Sequence, residues 1–523
     1  MDGLSQTVNG SVRGLREGGT WVFKGIPYAR DPSGSRRWRR PEPSPGWTGV
    51  FEANRFGPVA PQSPPVPGMS IRGDPTESSE DCLSLNIWTP GIDDSMRPVM
   101  VWIHGGGFTT GSGSSLLYRG DRLARMGDVV VVTINYRLGA LGFLAHSSFA
   151  DDEGGFANWG LHDQLAALTW VKENIANFGG DPNSVTVFGE SAGAMSISAL
   201  LAVEEATGLF QRAIIQSGPP SCGSPAWAQR RALSLASKLW PSGGDKIYVS
   251  ARRELDRDAF EGATPEELVS ASRQLEPEGS GLPLPFLPVV DGCLLSQLPP
   301  DVIRSGSGRR VPIMIGTNRD ECTFFALGDP RAAALNDERL ARRVAALVGS
   351  GFAHQILQTY HHARSERHET TDPLALWTAI TTDLVFRMPS LALAEAQRAV
   401  DVDVFSYLFT WSSPFLGGIL GSAHALEVPF VFGTVAERAV QPYSGSGPAA
   451  LALAESMMRS WVAFASSGDP SCEELGEWPT YDVDKRRTMV LGEHSALELD
   501  PRAEEREAWR ASGVDMANRL YQP

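Results

Sequence analysis

Val185-Thr186-Val187-Phe188-Gly189-Glu190-Ser191-Ala192-Gly193-Ala194-Met195 sets one serine between two glycines, with strand-favouring residues before it and small, helix-compatible residues after it. That is the pattern of a nucleophile elbow, a strained strand-to-helix turn that lifts a serine Oγ above a sheet. Gly189 and Gly193 flank the turn where a Cβ would collide with the neighbouring strand and helix. Ser191 Oγ would stand at a helix N-terminus, beside free N–H groups that suit a developing anion. The pentapeptide by itself also describes an ordinary glycine turn; the strand before it and the helix after it favour catalysis. A serine hydroxyl further needs a base, an orienting acid and an oxyanion site. His104-Gly105-Gly106-Gly107 has the form of an HGGG-type oxyanion loop, and it lies two elements ahead of the serine. A plain Gly-rich turn is the alternative there.

Nine histidines compete for the role of base. His146 and His162 fall in loop or helix contexts with no elbow-like setting. His354, His361, His362 and His368 cluster in a polar helical stretch and read as surface, and His104 is placed to shape the oxyanion loop.

These groups need a sheet to carry them. Residues 99–103 and 128–134 are continuous apolar runs of the kind found in parallel strands covered on both faces. Residues 21–29 read as a strand breaking at Gly25 and Pro27, and 83–89 as an alternating strand. Further strands are expected at 185–188, 212–218, 311–316, 404–409 and 488–491. Apolar residues at Leu161, Leu165, Leu168, Val171 and Ile175 predict one amphipathic helix over 161–178, stopped by Gly179-Gly180. Helical patterns also fill 337–400 and 451–465. Residues 30–79 are rich in Pro, Gly and Arg, and predict an irregular covering over the core. Strands alternating with helices imply an α/β architecture with a right-handed βαβ sheet.

Apolar residues make up 42% of the 523 and charged residues 20%, the balance of a soluble globular protein. A net charge of −15 argues against a nucleic-acid partner, whose phosphates need a basic face. Arg36-Arg37-Trp38-Arg39-Arg40 is a local exception, read as a solvated or salt-bridged surface. Cys82, Cys222, Cys293, Cys322 and Cys472 lack CxxC spacing or neighbouring histidine clusters, so neither a disulfide scaffold nor a zinc site is expected. Residues 1–30 show no basic-then-apolar leader, and no run of about 18 apolar residues occurs. The expectation is a cytoplasmic protein with no membrane segment.

The motifs together resemble the type-B carboxylesterases of the α/β-hydrolase superfamily, which include bacterial p-nitrobenzyl esterases and the cholinesterases. The resemblance runs through Gly25-Ile26-Pro27-Tyr28, Ser79-Glu80-Asp81-Cys82-Leu83-Ser84-Leu85-Asn86, the triple glycine, Asn135-Tyr136-Arg137 and Phe188-Gly189-Glu190-Ser191-Ala192-Gly193. It continues through Gly316-Thr317-Asn318-Arg319-Asp320-Glu321 and His424-Ala425-Leu426-Glu427-Val428-Pro429-Phe430 to Trp478-Pro479 and Arg487-Thr488-Met489. It implies an α/β-hydrolase fold with a mixed, mainly parallel sheet. It also implies one domain over 1–523, with large helical insertions forming a gorge down to Ser191.

The resemblance implies Ser191 as nucleophile, His424 as general base and then acid, and Glu321 as the carboxylate that orients it, in the chain order the fold expects. By position, the oxyanion donors are the N–H groups of Gly106, Gly107 and Ala192. Glu190 and Ser217 match positions near the family's site, as supporting hydrogen-bond partners, while Glu427 fits either that role or a buried structural carboxylate. The reaction implied is two-step hydrolysis of a small-molecule ester, with no metal and no organic cofactor. An amidase or carbamate hydrolase could use the same groups, and some family members are adhesion or hormone-precursor modules that have lost the nucleophile. Two departures stand out. Many animal members pair the cysteine at position 82 with one in a preceding Gly-Pro-x-Cys segment, which here is Gly57-Pro58-Val59-Ala60. The tryptophan that holds choline in the cholinesterases has no counterpart among residues 62–79, which lack Trp, Tyr and Phe.

Overall fold

The computed structural model describes residues 3–64, 77–241, 255–276, 284–518 and 520–522. Among these, eleven strands share one sheet. They are β1 (Leu15–Glu17), β2 (Thr20–Pro27), β3 (Ser84–Thr89), β4 (Arg97–Ile103), β5 (Val130–Ile134), β6 (Gly180–Glu190), β7 (Arg212–Gln216), β8 (Ile313–Asn318), β9 (Val404–Phe409), β10 (Arg487–Leu491) and β11 (Ala496–Leu499). Their spatial order is β11-β10-β9-β8-β7-β6-β4-β5-β3-β2-β1. From β5 through β10 every neighbouring pair is parallel. Antiparallel pairs close both sides, β3, β2 and β1 at one edge and β11 at the other. The sheet is therefore mixed and mainly parallel, as the resemblance implied.

The period of two along each strand divides the interior into two cores. In β4, Val99, Val101 and Ile103 face the core that holds α1 (Trp159–Asn174) and α2 (Ala192–Leu200). Met100 and Trp102 face the opposite core. The remaining helices used below are α3 (Glu321–Ala326), α4 (Ser350–Glu366), α5 (Pro373–Thr382), α6 (Met388–Arg398), α7 (Pro448–Ser467) and α8 (Ala503–Ser512). Trp461 and Phe464 of α7 fill the second core, and α4, α5 and α8 share a third, around Tyr360, Ile380 and Trp509. After β4 the chain places β5 on one side and β6 on the other. The sheet order thus reverses at β4, and such a reversal opens a crevice beyond the strands' carboxyl ends. His104 follows β4 into that crevice and Ser191 follows β6.

Several expectations need correction. Gly25 does not end its strand: β2 runs on to Pro27 with an irregular register between Phe23 and Ile26, and the Gly25 N–H is taken by Asn86 Oδ1 at 2.9 Å. Residues 84–89 are buried at every position, so their alternation does not mark a solvent face. The helix expected over 161–178 is α1 followed by a 3₁₀ turn, Ile175–Phe178. Leu161, Leu165, Leu168, Val171 and Ile175 are buried, and Thr169, Lys172, Glu173, Ala176 and Asn177 form one exposed stripe, so it is amphipathic as expected, with a broad buried face. In the Arg-rich run, Arg37 pairs with Glu80 at 2.5 Å, while Trp38 is fully buried and donates to Ala140 O. It is salt-bridged as expected, but part of it is core. Most of the loop 62–79 lies outside the described residues.

Candidate active site

Ser191 joins β6 to α2 with φ 54° and ψ −125°. A non-glycine residue in that region costs of order 1–3 kcal/mol and persists only where its surroundings enforce it. Here they do. The Ser191 N–H donates to Gln216 O of β7 at 2.9 Å, and its carbonyl accepts from the Met195 N–H at 2.8 Å. Behind the turn, a Cβ on Gly193 would lie 1.9 Å from the Ile103 carbonyl oxygen, so the elbow is pressed directly onto the end of β4.

The loop after β4 is held as firmly. The buried His104 donates from Nδ1 to the Gly105 carbonyl at 2.8 Å, and its own carbonyl accepts from the Tyr136 hydroxyl at 2.7 Å. Burial pulls the His104 pKa down to about 4, which keeps the ring neutral, and the Gly105 carbonyl holds the remaining proton on Nδ1. Gly106 has φ +109°, and its carbonyl accepts from the N–H groups of Thr109 and Thr110. Among the described residues, no hydrogen bond takes the N–H groups of Gly106, Gly107 or Ala192. Leu284 covers one side: its Cδ2 is 3.1 Å from where a Cβ on Gly107 would sit.

Glu321, the first residue of α3, is wholly buried beyond the end of β8. Its Oε2 lies 2.6 Å from His424 Nδ1. Its Oε1 accepts from Ser217 Oγ at 2.5 Å and from the Asn318 N–H at 2.7 Å. Each oxygen therefore has a fixed task. His424 is itself buried, and its carbonyl accepts from the Tyr443 hydroxyl at 2.7 Å. The other ring nitrogen, Nε2, is 3.0 Å from Glu190 Oε1, but neither atom has a partner in hydrogen-bonding geometry among the described residues. Ser191 is thus not hydrogen-bonded to His424 in this structure, and the imidazole edge that could serve it is uncommitted.

Charge shapes this pair. Burial alone would lower the His424 pKa, but the carboxylates of Glu190 and Glu321 outweigh it and raise it above the ordinary histidine value. Burial raises Glu190 well above the ordinary carboxylate range, and the nearby imidazolium opposes that shift. Glu190 and His424 therefore titrate as a pair around one proton. Glu427 accepts from Gln216 Nε2 at 3.0 Å and from Asn318 Nδ2 at 2.7 Å, and Asn318 Nδ2 also donates to Ala423 O. Those bonds fasten the His424 loop to the ends of β7 and β8, so Glu427 is a buried structural carboxylate.

The candidate residues thus gather at one end of the sheet. Four others entered the site unforeseen. Asn318 and Gln216 lay inside quoted motifs and strands without a role, and their signal was a polar amide at the end of an otherwise apolar strand. Phe325 and Phe386 pack at a tilt against His424, with ring centroids 5.1 and 4.9 Å from it, and nothing in their spacing announced it. His354, His361, His362 and His368 are exposed, as expected. All five cysteines are free, Cys82 among the buried ones. Among the described residues no helix is long and apolar enough to cross a membrane.

Comparison with known proteins shows the family and the fold. The carboxylesterase family model matches residues 2–509. The para-nitrobenzyl esterase of Bacillus subtilis (strain 168) is 38% identical over 504 residues, covering 96% of this chain and 97% of its own. The phenmedipham hydrolase of Pseudarthrobacter oxydans is 36% identical over 508 residues, 94% of this chain and 96% of its own. A crystal structure of a Geobacillus stearothermophilus carboxylesterase superimposes with a TM-score of 0.83 at 40% identity, covering 97% of this chain and all of that one. The chain belongs to the carboxylesterase family and is a carboxylic ester hydrolase of the α/β-hydrolase fold.

Proposed function

We propose that this esterase cleaves neutral, small-molecule carboxylic esters through an acyl-enzyme on Ser191, with His424 as base and Glu321 as the acid that orients it. In acylation His424 Nε2 takes the Ser191 proton as Oγ attacks the ester carbonyl. The N–H groups of Gly106, Gly107 and Ala192 receive the oxyanion. The imidazolium then returns the proton to the departing alcohol, and water activated by the same nitrogen releases the acid. Glu321 holds Nδ1–H and offsets the imidazolium charge, while Ser217 and Asn318 keep its carboxylate from turning.

The observation that carries this reading is the Glu321–His424 contact of 2.6 Å beside a serine held at φ 54° with free N–H groups around it. No group in this scheme calls for a metal or an organic cofactor. The sheet draws strands from residue 15 to residue 499, which supports one catalytic domain across the chain. Five unpaired cysteines fit a reducing cytoplasm.

The test is Ser191→Ala with an organophosphate label. The variant should stay folded, lose turnover and take up no label, while the parent is labelled on Ser191 alone. A variant retaining a tenth of parental turnover would sink the assignment. A panel of p-nitrophenyl esters of rising acyl length, with one amide and one carbamate, fixes the substrate class; faster turnover of the amide or carbamate would overturn the ester reading.

A further inference from the structure

His424 is gripped on its ring face as well as at Nδ1. Phe325 and Phe386 lie nearly parallel, 11° apart with centroids separated by 6.2 Å, and the imidazole leans against both at 47° and 43°. Phe325 belongs to α3, the helix that starts at Glu321, so its place follows from that residue's. Phe386 has a different origin. It sits in a single π-helical turn, Asp383–Arg387, between α5 and α6. A π turn inserts one residue and so rotates the following side chains by about 100° relative to an uninterrupted α-helix. Without it Phe386 would face elsewhere.

Both ends of this turn are tied to the C-terminal segment. At its start, Asp383 Oδ2 accepts from the Tyr360 hydroxyl of α4, and that oxygen in turn accepts from Trp509 Nε1 of α8 at 2.6 Å. Tyr360 and Trp509 are each 1% exposed. At its end, Arg387 Nη2 donates to Pro501 O, just ahead of α8, and Nη1 lies 3.8 Å from Asp383 Oδ1. An unmade hydrogen bond at so buried a place is costly, so the chain resists rearrangement.

We propose that Trp509, Tyr360 and Asp383 are positioning residues for catalysis. Helix α8 holds the π turn in register, the turn presents Phe386, and Phe386 with Phe325 confines the His424 imidazole so that its uncommitted Nε2 edge stays available to Ser191. This rests on the reading of His424 as the base.

The test uses the full-length enzyme and a neutral p-nitrophenyl ester. Tyr360→Phe and Trp509→Phe each remove one link with little change of volume, and Phe386→Leu removes the ring itself. Each should lower kcat by about tenfold to a hundredfold, the scale of a small misplacement, with KM unchanged. The double variant Tyr360→Phe/Phe386→Leu should be no slower than Phe386→Leu alone, because both act through one ring. Phe386→Tyr, which keeps the ring, should recover most of kcat. A role in stability alone predicts a lower Tm with normal kcat per folded molecule. That result in whichever of Tyr360→Phe and Trp509→Phe folds, or additive losses in the double variant, overturns the proposal. His424→Ala separates the two levels: retained turnover there would sink the choice of base, whereas lost turnover with a normal Tyr360→Phe would sink the positioning role alone.

Discussion

Glu190→Gln should move the pH profile of kcat/KM to the acid side and lower its plateau, by amounts that are linked. In the parent, Glu190 Oε1 lies 3.0 Å from His424 Nε2. With an effective dielectric constant of about 20, full charges at that distance attract by about 5.5 kcal/mol. That is an upper bound, because burial raises the Glu190 pKa and leaves the carboxyl partly protonated near neutrality. A close opposite charge commonly shifts a pKa by about 1–3 units, and that is the displacement expected here. The sign follows from the chemistry. His424 accepts a proton only when neutral, and the Glu190 charge stabilises the protonated ring. Glutamine removes the charge, the His424 pKa falls, and the neutral base persists to lower pH. Glu321 and Glu427 remain, so the pKa should not fall to that of a merely buried histidine. The same loss weakens the transition state, in which imidazolium forms. Each unit of pKa corresponds to about 1.36 kcal/mol, so each unit of acid displacement should carry up to about a tenfold loss of plateau rate. The measurement is kcat/KM for an uncharged p-nitrophenyl ester across pH 5 to about 10. An acid limb at the parental pH would refute the coupling between Glu190 and His424. A displaced limb with an undiminished plateau would refute the claim that Glu190 supports the imidazolium during turnover.

Ser217→Ala removes the hydroxyl that donates to Glu321 Oε1 at 2.5 Å, and hydrogen bonds to charged groups contribute about 1.5–3 kcal/mol, so kcat should fall about tenfold or more at unchanged KM; parental kcat would mean that the Asn318 N–H alone holds the carboxylate. Gly193→Ala forces a Cβ to within 1.9 Å of the Ile103 carbonyl, and overpacking against backbone costs about 3 kcal/mol, so thermal unfolding should shift down by several degrees together with loss of activity. Choline esters should be poorer substrates than uncharged isosteres of equal leaving-group ability. A desolvated cation–π contact contributes on the order of 2 kcal/mol, roughly thirtyfold in affinity, and residues 62–79 supply no aromatic for it. The net charge of −15 speeds encounter with a cation but is screened over about 8 Å at physiological salt. Trp411, a possible substitute, is already committed through its indole N–H to Ser444 O and packs on Phe430. Equal or better turnover of the choline ester would mean that an aromatic from elsewhere in the chain, Trp411 or Phe415, lines the site.

What could be read in the sequence follows from how local each physical constraint is. The elbow and the triple glycine were legible because their chemistry is written within a few neighbouring residues: glycine where a Cβ would strike backbone, apolar strand before, helix after. The sheet strands were legible because burial on both faces demands unbroken apolar runs, and β4, β5 and β9 lie where those runs lie. Their ends were less so; at 128–134 the first residues belong to a turn, with Asp128 in a left-handed conformation. Glu321 and His424 stand 103 residues apart, and no periodicity links them. Only the order of family motifs brought them forward as partners. The motifs also placed Glu190 near the site, but its 3.0 Å approach to an uncommitted Nε2 edge depends on a side-chain setting rather than on a motif.

The same logic explains why the surroundings of His424 escaped notice while His424 did not. Residues 337–400 carry a helical pattern throughout, and one extra residue at Asp383–Arg387 leaves that pattern apolar on both sides of the turn. The insertion is visible only where Phe386 meets a ring from another part of the chain. Gln216 and Asn318 show the converse. Each closes a parallel strand, and neighbouring strands in register bring their C-terminal ends side by side: Ile103 beside Gly189, Glu190 beside Gln216, Gln216 beside Gly316, Asn318 beside Phe409. Any polar residue at or just past those ends must therefore find its partners among the others. A parallel sheet with apolar strands thus concentrates its polar groups at one edge. That edge is where a buried carboxylate, the histidine bonded to it and a strained serine can be held by backbone that the cores on both faces already fix.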